Sequence, residues 1–198
     1  MQITAKMVQD LREKTGAGMM DCKKALTAAD GDMELAIENL RKSGAAKAEK
    51  KSGRSTNQGK VLTAIDGNKA SIVEVLCETD FAAKTDKFID MVNKFAADML
   101  NMPGNGDISA AVQEAEKSAL TDQIIGENMQ IRRAVKWEGG ERYVSYHHDG
   151  GRVSVLVEVE GESDPAILND ICLHIAAFRP SYITENDVPA EVIEKEKE

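Results

Sequence analysis

The fold of this chain is decided by residues 70–84, ASIVEVLCETDFAAK, where a strand pattern passes directly into a helix pattern. The first eight of these residues are rich in β-branched and aliphatic side chains, and with residues 61–65 across an Asp-Gly-Asn turn they predict an antiparallel hairpin. The helix pattern follows without a loop. Thr79 or Asp80 fits the N-cap of that helix, with Phe81 packed beneath it.

Residues 1–45 predict a compact unit of three short helices. Thr4 is a candidate N-cap for the first helix, and Gly16 is its stop. The third helix has Asp32 as its cap and Gly44 as its stop. Each helix is too short to be stable alone in water, so we expect the three to pack against one another.

The rest of the chain predicts an α+β fold built from two related halves. Residues 46–59 are small, polar and basic, and they indicate a linker. Residues 60–128 and residues 129–182 each contain an antiparallel hairpin pattern followed by helix patterns, so we expect two subdomains of similar architecture. Residues 183–198 begin a helical extension whose pattern is still running at the last residue, and we expect it to be truncated.

Composition and charge exclude several classes of protein. The chain is 42% hydrophobic with a net charge of −9, and it contains no apolar run long enough to span a membrane. Residues 1–60 carry a net charge of +4 and residues 61–198 carry −13, so we expect no direct binding of nucleic acid. The start of the chain lacks the apolar core of a signal peptide, and we expect a cytoplasmic protein.

Residues with the potential for catalysis or metal binding are few and scattered. Cys22, Cys77 and Cys172 form no CxxC pair, and the second and third of them lie in apolar periodic segments that predict buried thiols. His147 and His148 are adjacent on a predicted strand and therefore point to opposite faces. No phosphate-binding loop, nucleophile elbow or HExxH motif occurs, so we expect no enzyme, no cofactor and no bound metal.

Two segments carry a resemblance to a known family. Residues 11–26, LREKTGAGMMDCKKAL, contain two adjacent methionines, at least one of which must be exposed, and residues 74–84 contain the Thr-Asp-Phe element. Together these segments resemble the two signatures of bacterial elongation factor Ts. The second departs from the usual family pattern at Leu76, where Asn is usual, and at Ala82, where Val is usual. Further likeness occurs at residues 125–128, 131–133 and 174–177.

This resemblance implies a fold, a partner and an activity. The fold is a ubiquitin-associated-like three-helix head, a linker and a core of two related α+β subdomains. The partner is elongation factor Tu, either GDP-bound or nucleotide-free, and the activity is guanine-nucleotide exchange in translation elongation, with Mg²⁺ dislodged from the partner. The residues implied to bind the partner and dislodge its Mg²⁺ are Thr79, Asp80, Phe81 and Ala82, with Phe81 entering the nucleotide-binding domain and Asp80 beside it. The residues implied to make further contacts are Met19, Met20, Lys23, Ile125, Gly126, His147 and His148.

Three alternatives remain open at this point. The chain could be an interaction module that binds another protein through residues 1–45. It could be an RNA-associated translation protein whose contacts are Lys47, Lys50, Lys51, Arg54 and Lys60. It could also be an enzyme with a pocket at His174, although that residue in an apolar helix is better explained as a hydrogen-bonded core residue.

Overall fold

The computed structural model describes residues 2–120 and 125–197, which form the predicted α+β fold. These residues contain two hydrophobic cores. The helices are α1 (Ala5–Thr15), α2 (Met19–Ala28), α3 (Met33–Lys51), α4 (Asp80–Ala83), α5 (Asp86–Met99), α6 (Ser109–Ala115), α7 (Lys117–Leu120), α8 (Pro165–Phe178) and α9 (Ala190–Lys195). The strands are β1 (Gln58–Asp66), β2 (Lys69–Cys77), β3 (Gly106–Asp107), β4 (Gln130–Glu138), β5 (Arg142–His148) and β6 (Val153–Val159). A short 3₁₀ helix, Glu185–Asp187, precedes α9.

Helices α1 to α3 form the predicted three-helix unit around one of the cores. The Thr4 hydroxyl accepts a hydrogen bond from the Met7 amide at 3.3 Å, and α1 ends at Gly16 with a φ of 67°. The Asp32 carboxylate accepts one from the Leu35 amide at 3.0 Å, at the start of α3. The predicted caps and the predicted stop of α1 are therefore confirmed. The larger buried side chains of this core are Val8, Leu11, Cys22, Leu26 and Leu40.

The predicted stop of the third helix at Gly44 is wrong. Helix α3 continues through Gly44, which is buried, and ends at Lys51. One interior glycine costs a helix only about 1 kcal/mol relative to alanine, and the Ala- and Lys-rich residues 45–51 favour helix strongly enough to offset it. Because β1 begins at Gln58, the irregular connection is shorter than the predicted linker of residues 46–59.

Strand β2 is the central element of a four-stranded antiparallel sheet in the order β1-β2-β4-β3. The predicted hairpin of β1 and β2 is confirmed, with Asp66 opposite Lys69 across the turn. Helix α5 packs on one face of this sheet, because its apolar side chains recur on one side. The fully buried residues where sheet and helix meet are Val73, Val75, Cys77, Phe88, Val92 and Phe95.

Strand β4 belongs to the first sheet, and this corrects the predicted grouping of residues 129–182. It pairs with β2 along most of its length, and only β5 and β6 form the second sheet. The register between β2 and β4 shifts after Glu74, leaving Arg132 as an extra residue in β4. This bulge lets Arg132 and Arg133 both reach the Glu74 carboxylate, at 3.0 and 2.8 Å.

The β5–β6 hairpin is attached to the outer edge of β1. The Val61 amide donates to the Gly151 carbonyl at 2.8 Å, and the Ser154 hydroxyl donates to the Val61 carbonyl. Lys60, one of the contacts in the RNA-associated alternative, is buried and donates from its ammonium to the Gly150 carbonyl. These contacts join the second hairpin to the first sheet.

Helix α8 begins with Asp164 as its N-cap and Pro165 in its first turn, and it buries only a narrow face. Leu168 and Cys172 are buried against the β5–β6 hairpin, whereas Ile167 and Ile171 are exposed. His174 is also exposed, and its ring lies 4.5 Å from that of Phe178. The interpretation of His174 as a core residue is therefore wrong, because a single sheet face covers only one side of this helix.

Gly59 provides a test of the close approach of β1 to β2. A Cβ atom on Gly59 would lie 2.1 Å from the Val75 carbonyl oxygen, whereas a Cβ atom on Gly53 would meet nothing within 4 Å. We expect Gly59→Ala to lower the free energy of unfolding by about 3 kcal/mol through this backbone overlap. Gly53→Ala should change it by less than about 0.5 kcal/mol. Equal urea midpoints for the two variants would contradict the assigned register.

Candidate functional site

Thr79 places a one-turn helix directly after the central strand. It is the N-cap of α4, and its hydroxyl accepts a hydrogen bond from the Ala82 amide at 3.2 Å. Ala82 and Ala83 face the main core and are buried. Because successive residues of a helix point about 100° apart, burial of these two alanines turns Phe81 away from the core.

Phe81 is 80% exposed. The prediction that this region contains a helix cap is therefore correct, but the ring is not packed beneath the cap as predicted. Exposing a whole phenyl ring forgoes roughly 1.5–3 kcal/mol of burial free energy. An exposed aromatic side chain on a short, capped helix is the kind of group that a partner protein buries.

Glu127 holds the start of this helix from a distant part of the chain. One oxygen of its carboxylate accepts hydrogen bonds from the Glu78 and Thr79 amides, both at 3.0 Å. The other oxygen accepts a hydrogen bond from the Thr79 hydroxyl at 2.6 Å. The junction between strand and helix is thus fixed by three hydrogen bonds to one charged acceptor.

Glu78 makes the reciprocal contact. Its carboxylate accepts the Asn128 amide at 2.7 Å and lies 3.4 Å from the Arg54 guanidinium. The hydrogen bond from the Asn128 amide, aided by Arg54, lowers the pKa of the Glu78 carboxyl. Asn128 in turn donates from its side-chain amide to the Arg54 carbonyl at 2.9 Å.

The turn that directly precedes Glu127 contains Ile125 and Gly126, two of the residues predicted to contact a partner. The Gly126 carbonyl accepts a hydrogen bond from the ammonium of Lys51, the last residue of α3, at 2.6 Å. Ile125 is half-buried and packs against the main core. The structure therefore brings the turn at residues 125–126 next to Thr79, as neighbours through Glu127.

Asp80 lies in the first turn of α4, and its carboxylate pairs with Lys84 at 2.7 Å. The hydrogen bond from this ammonium is the main reason that the pKa of Asp80 is lowered. Asp80 is therefore a carboxylate at neutral pH, and it directly precedes Phe81 in the sequence.

Met19, Met20 and Lys23 lie on α2, in the three-helix unit. All three are exposed, with Met20 at 65%, so both adjacent methionines face solvent. The main packing partners of α2 are α1 and α3. These side chains form a second exposed group of sequence-predicted site residues, on a unit other than the one that carries Phe81.

His147 and His148 are the last residues of β5 and point to opposite sides, as predicted. Nδ1 of His147 lies 2.9 Å from the Ser154 hydroxyl, and Nε2 lies 3.0 Å from the Thr63 hydroxyl. Because desolvation lowers the pKa of His147, its ring is neutral at neutral pH. His148 instead approaches the Tyr146 hydroxyl at 3.0 Å.

The part of the chain that the structure describes contains no group of three or more His, Cys, Asp or Glu side chains arranged to hold a metal ion. Within residues 2–120 and 125–197, no helix combines the length and the apolar character that crossing a bilayer requires. Cys22, Cys77 and Cys172 are free and buried, which confirms the predicted burial of the latter two.

Comparison with known proteins identifies the family. The family model described as Elongation factor TS matches residues 78–198. The chain is 45% identical over 210 residues to elongation factor Ts of Thioalkalivibrio sulfidiphilus, covering all of this chain and 70% of that protein. It is 46% identical over 202 residues to the elongation factor Ts of Pseudoalteromonas translucida, covering all of this chain and 68% of the relative. It is 48% identical over 196 residues to the elongation factor Ts of an Enterobacter species, covering 98% of this chain and 68% of that protein. The chain belongs to the elongation factor Ts family.

Membership in the elongation factor Ts family makes the chain a translation elongation factor, and it confirms the resemblance seen in the two signatures. The match begins at Glu78, whose backbone amide donates to the Glu127 carboxylate. Glu127 and Glu78 were not predicted as site residues, although Glu127 lies in the segment of residues 125–128 whose likeness to the family was noted. Their role was hidden because it depends on a contact across 48 or 49 residues of sequence.

Cys77 gives a prediction about pH. Burial, and next the nearby Glu127 carboxylate, raise the pKa of its thiol from 9.0 to about 11. In the unfolded chain the thiol ionises near its ordinary pKa, so the folded state loses stability as pH rises from about 9 to about 11. We expect the free energy of unfolding of Cys77→Ala to fall less steeply over this window, by up to about 2 kcal/mol, in urea titrations. Parallel pH profiles for the two proteins would contradict this.

Proposed function

We propose that this chain is a guanine-nucleotide exchange factor for elongation factor Tu, without covalent chemistry of its own. In this proposal, Asp80 and Phe81 insert into the nucleotide-binding domain of the partner and promote release of GDP. The observation that carries the proposal is the exposure of Phe81 on a helix whose start is fixed by the Thr79 cap and by the hydrogen bond from Thr79 to Glu127. Membership in the elongation factor Ts family supports it.

The energetics require more than one contact. An exchange factor must bind the nucleotide-free partner more tightly than the GDP-bound partner, and linkage makes the weakening reciprocal. Burying the Phe81 ring contributes roughly 1.5–3 kcal/mol, which corresponds to about one to two powers of ten in GDP affinity. Any greater weakening must come from other parts of the interface.

Three other groups of residues, which are exposed or lie next to the Thr79 site, could supply these further contacts in the proposed complex. Met19, Met20 and Lys23 on α2 form an adaptable surface, because methionine side chains are flexible and polarisable. Ile125 and Gly126 directly precede Glu127, whose carboxylate binds Thr79, so in this proposal they approach the partner together with Phe81. His147 and His148 at the end of β5 extend the contact to another part of the partner.

The proposed effect on Mg²⁺ follows from the charge of the nucleotide. A Mg²⁺ ion in the partner offsets the negative charge of the GDP phosphates. An inserted phenyl ring and the Asp80 carboxylate displace the segment that holds this ion, and the diphosphate then loses its counter-charge. The ion belongs to the partner, and nothing in this mechanism requires the exchange factor to bind it.

The contacts of the basic residues disfavour the RNA-associated alternative. Lys60 is buried, and Arg54 faces the Glu78 carboxylate. Lys51 donates to the Gly126 carbonyl. Since these three cations have partners within the chain, they contribute little to a positive surface that could bind RNA phosphates.

Substitution of Phe81 tests the insertion directly. We expect Phe81→Ala to slow the stimulated release of a fluorescent GDP derivative from elongation factor Tu by roughly 10- to 100-fold, because the burial of one phenyl ring is lost. Phe178→Ala is the matched control, since its ring is 73% exposed on α8, outside the proposed contacts. Equal release rates for the two variants, both folded by circular dichroism, would refute the insertion.

Substitution of Asp80 distinguishes a direct contact with the partner from an effect on the partner's Mg²⁺. We expect Asp80→Asn to slow release by about three- to tenfold, the equivalent of one polar contact, and less than Phe81→Ala does. If Asp80 acts by displacing Mg²⁺, its effect should disappear when release is measured in EDTA. Lys84→Gln is the control, because it removes the ion pair but keeps the carboxylate. An undiminished loss in EDTA would show that Asp80 acts by contact alone.

A further inference from the structure

The Glu127 carboxylate joins two segments that are far apart in sequence. It accepts two amide hydrogen bonds and one hydroxyl hydrogen bond from Glu78 and Thr79, 48 or 49 positions earlier. The Glu78 carboxylate accepts the Asn128 amide in return. Each segment thus donates to a carboxylate of the other, and this reciprocal clamp fixes their relative position in both directions.

The clamp controls the cap of α4 through a single hydroxyl group. The Thr79 hydroxyl donates its only proton to Glu127 at 2.6 Å and therefore offers a lone pair to the Ala82 amide at 3.2 Å. Removing the acceptor frees this hydroxyl to rotate, and the helix start loses a defined partner. Glu127 thereby fixes the first turn of α4, although it does not itself belong to this helix.

Phe81 depends on that turn for its direction. Its ring is exposed, so core packing does not orient it. Its position is set by the backbone of a four-residue helix, which is too short to be stable without its cap and its surroundings. A shift in the start of α4 therefore moves the ring directly.

We infer that Glu127 is a positioning residue for nucleotide exchange, which holds Phe81 in the orientation that enters the partner. This inference rests on the proposed function, since it assigns to Glu127 an effect that passes through Phe81. It also explains why residues 125–126 and Phe81 approach the partner as one surface. The clamp joins the turn that precedes Glu127 to the helix that carries the ring.

A double-mutant cycle distinguishes positioning from general stabilisation. We expect Glu127→Ala to slow stimulated GDP release by about tenfold, the equivalent of about 1.4 kcal/mol. In the Phe81→Ala background, the same substitution should slow release by less than about twofold, because the ring it positions is absent. Lys23→Ala should slow release equally in both backgrounds, which shows that the assay can still register a loss.

Glu141 provides a matched control for the chemistry of the clamp. Its exposed carboxylate also accepts a backbone amide hydrogen bond from a distant residue, Gly161, at 2.7 Å. We expect Glu141→Ala to leave stimulated release unchanged. Glu127→Gln keeps the shape of the side chain but removes the negative charge, so its loss should lie between that of Glu127→Ala and the unsubstituted chain. If Glu127→Ala does not fold, Glu127→Gln and Thr79→Val take its place in the cycle.

The outcomes separate the inference from the proposed function. If Glu127→Ala slows release equally with and without Phe81, or does not slow it, Glu127 is not a positioning residue. If Phe81→Ala itself leaves release unchanged, the insertion is refuted, and the inference fails with it. A loss at Glu127 that appears only when Phe81 is present supports both.

Discussion

Strand β2 constrains the rest of the core, because it is hydrogen-bonded along both edges. It pairs with β1 on one side and with β4 on the other, and its alternate side chains are fully buried against α5. A shift of one residue in its register would turn this buried face outward, so the register is strongly fixed. The chain therefore leaves the sheet at a defined point, after Cys77. The short helix that follows begins at the edge of the main hydrophobic core, and this is the reason that an exposed ring on it has a defined position.

Polar contacts fix the segment that leaves the core at the end of β2 and reaches the surface at α4. Glu78 and Glu127 each accept amide hydrogen bonds from the other's segment, at the point where the buried strand ends. Buried or half-buried carboxylates are costly unless each oxygen is satisfied, and here the donors are backbone amides held by the sheet and the adjoining turn. Lys51 and Arg54 extend the network to the end of α3 and the connection to β1. The three-helix unit and the sheet are thus joined at the site that contains Phe81.

Local patterns predicted most of the elements, because caps and periodicity are local properties. Thr4, Gly16 and Asp32 were placed correctly, since each acts on amides or carbonyls within a few residues. The prediction that α3 stops at Gly44 was wrong because helix propensity sums over neighbouring residues, and one glycine changes that sum by only a small amount. The sheet membership of β4 could not be read from its pattern, because a strand shows which faces are apolar but not which neighbour it joins. Glu127 was missed as a site residue for the same reason, since its carboxylate meets Thr79 only after the chain has folded.

The exposure of Phe81 is a cost in the free chain and a source of affinity in the proposed complex. A flexible segment carrying the same ring would lose part of its burial free energy to the ordering of its backbone and side chain on binding. Here the cap at Thr79 and the clamp at Glu127 have already ordered the backbone during folding. More of the burial free energy of the ring is then available to weaken GDP binding. The same reasoning limits the ring to about two powers of ten at most. In the proposed complex, a broad surface that includes α2 and the end of β5 supplies any greater effect.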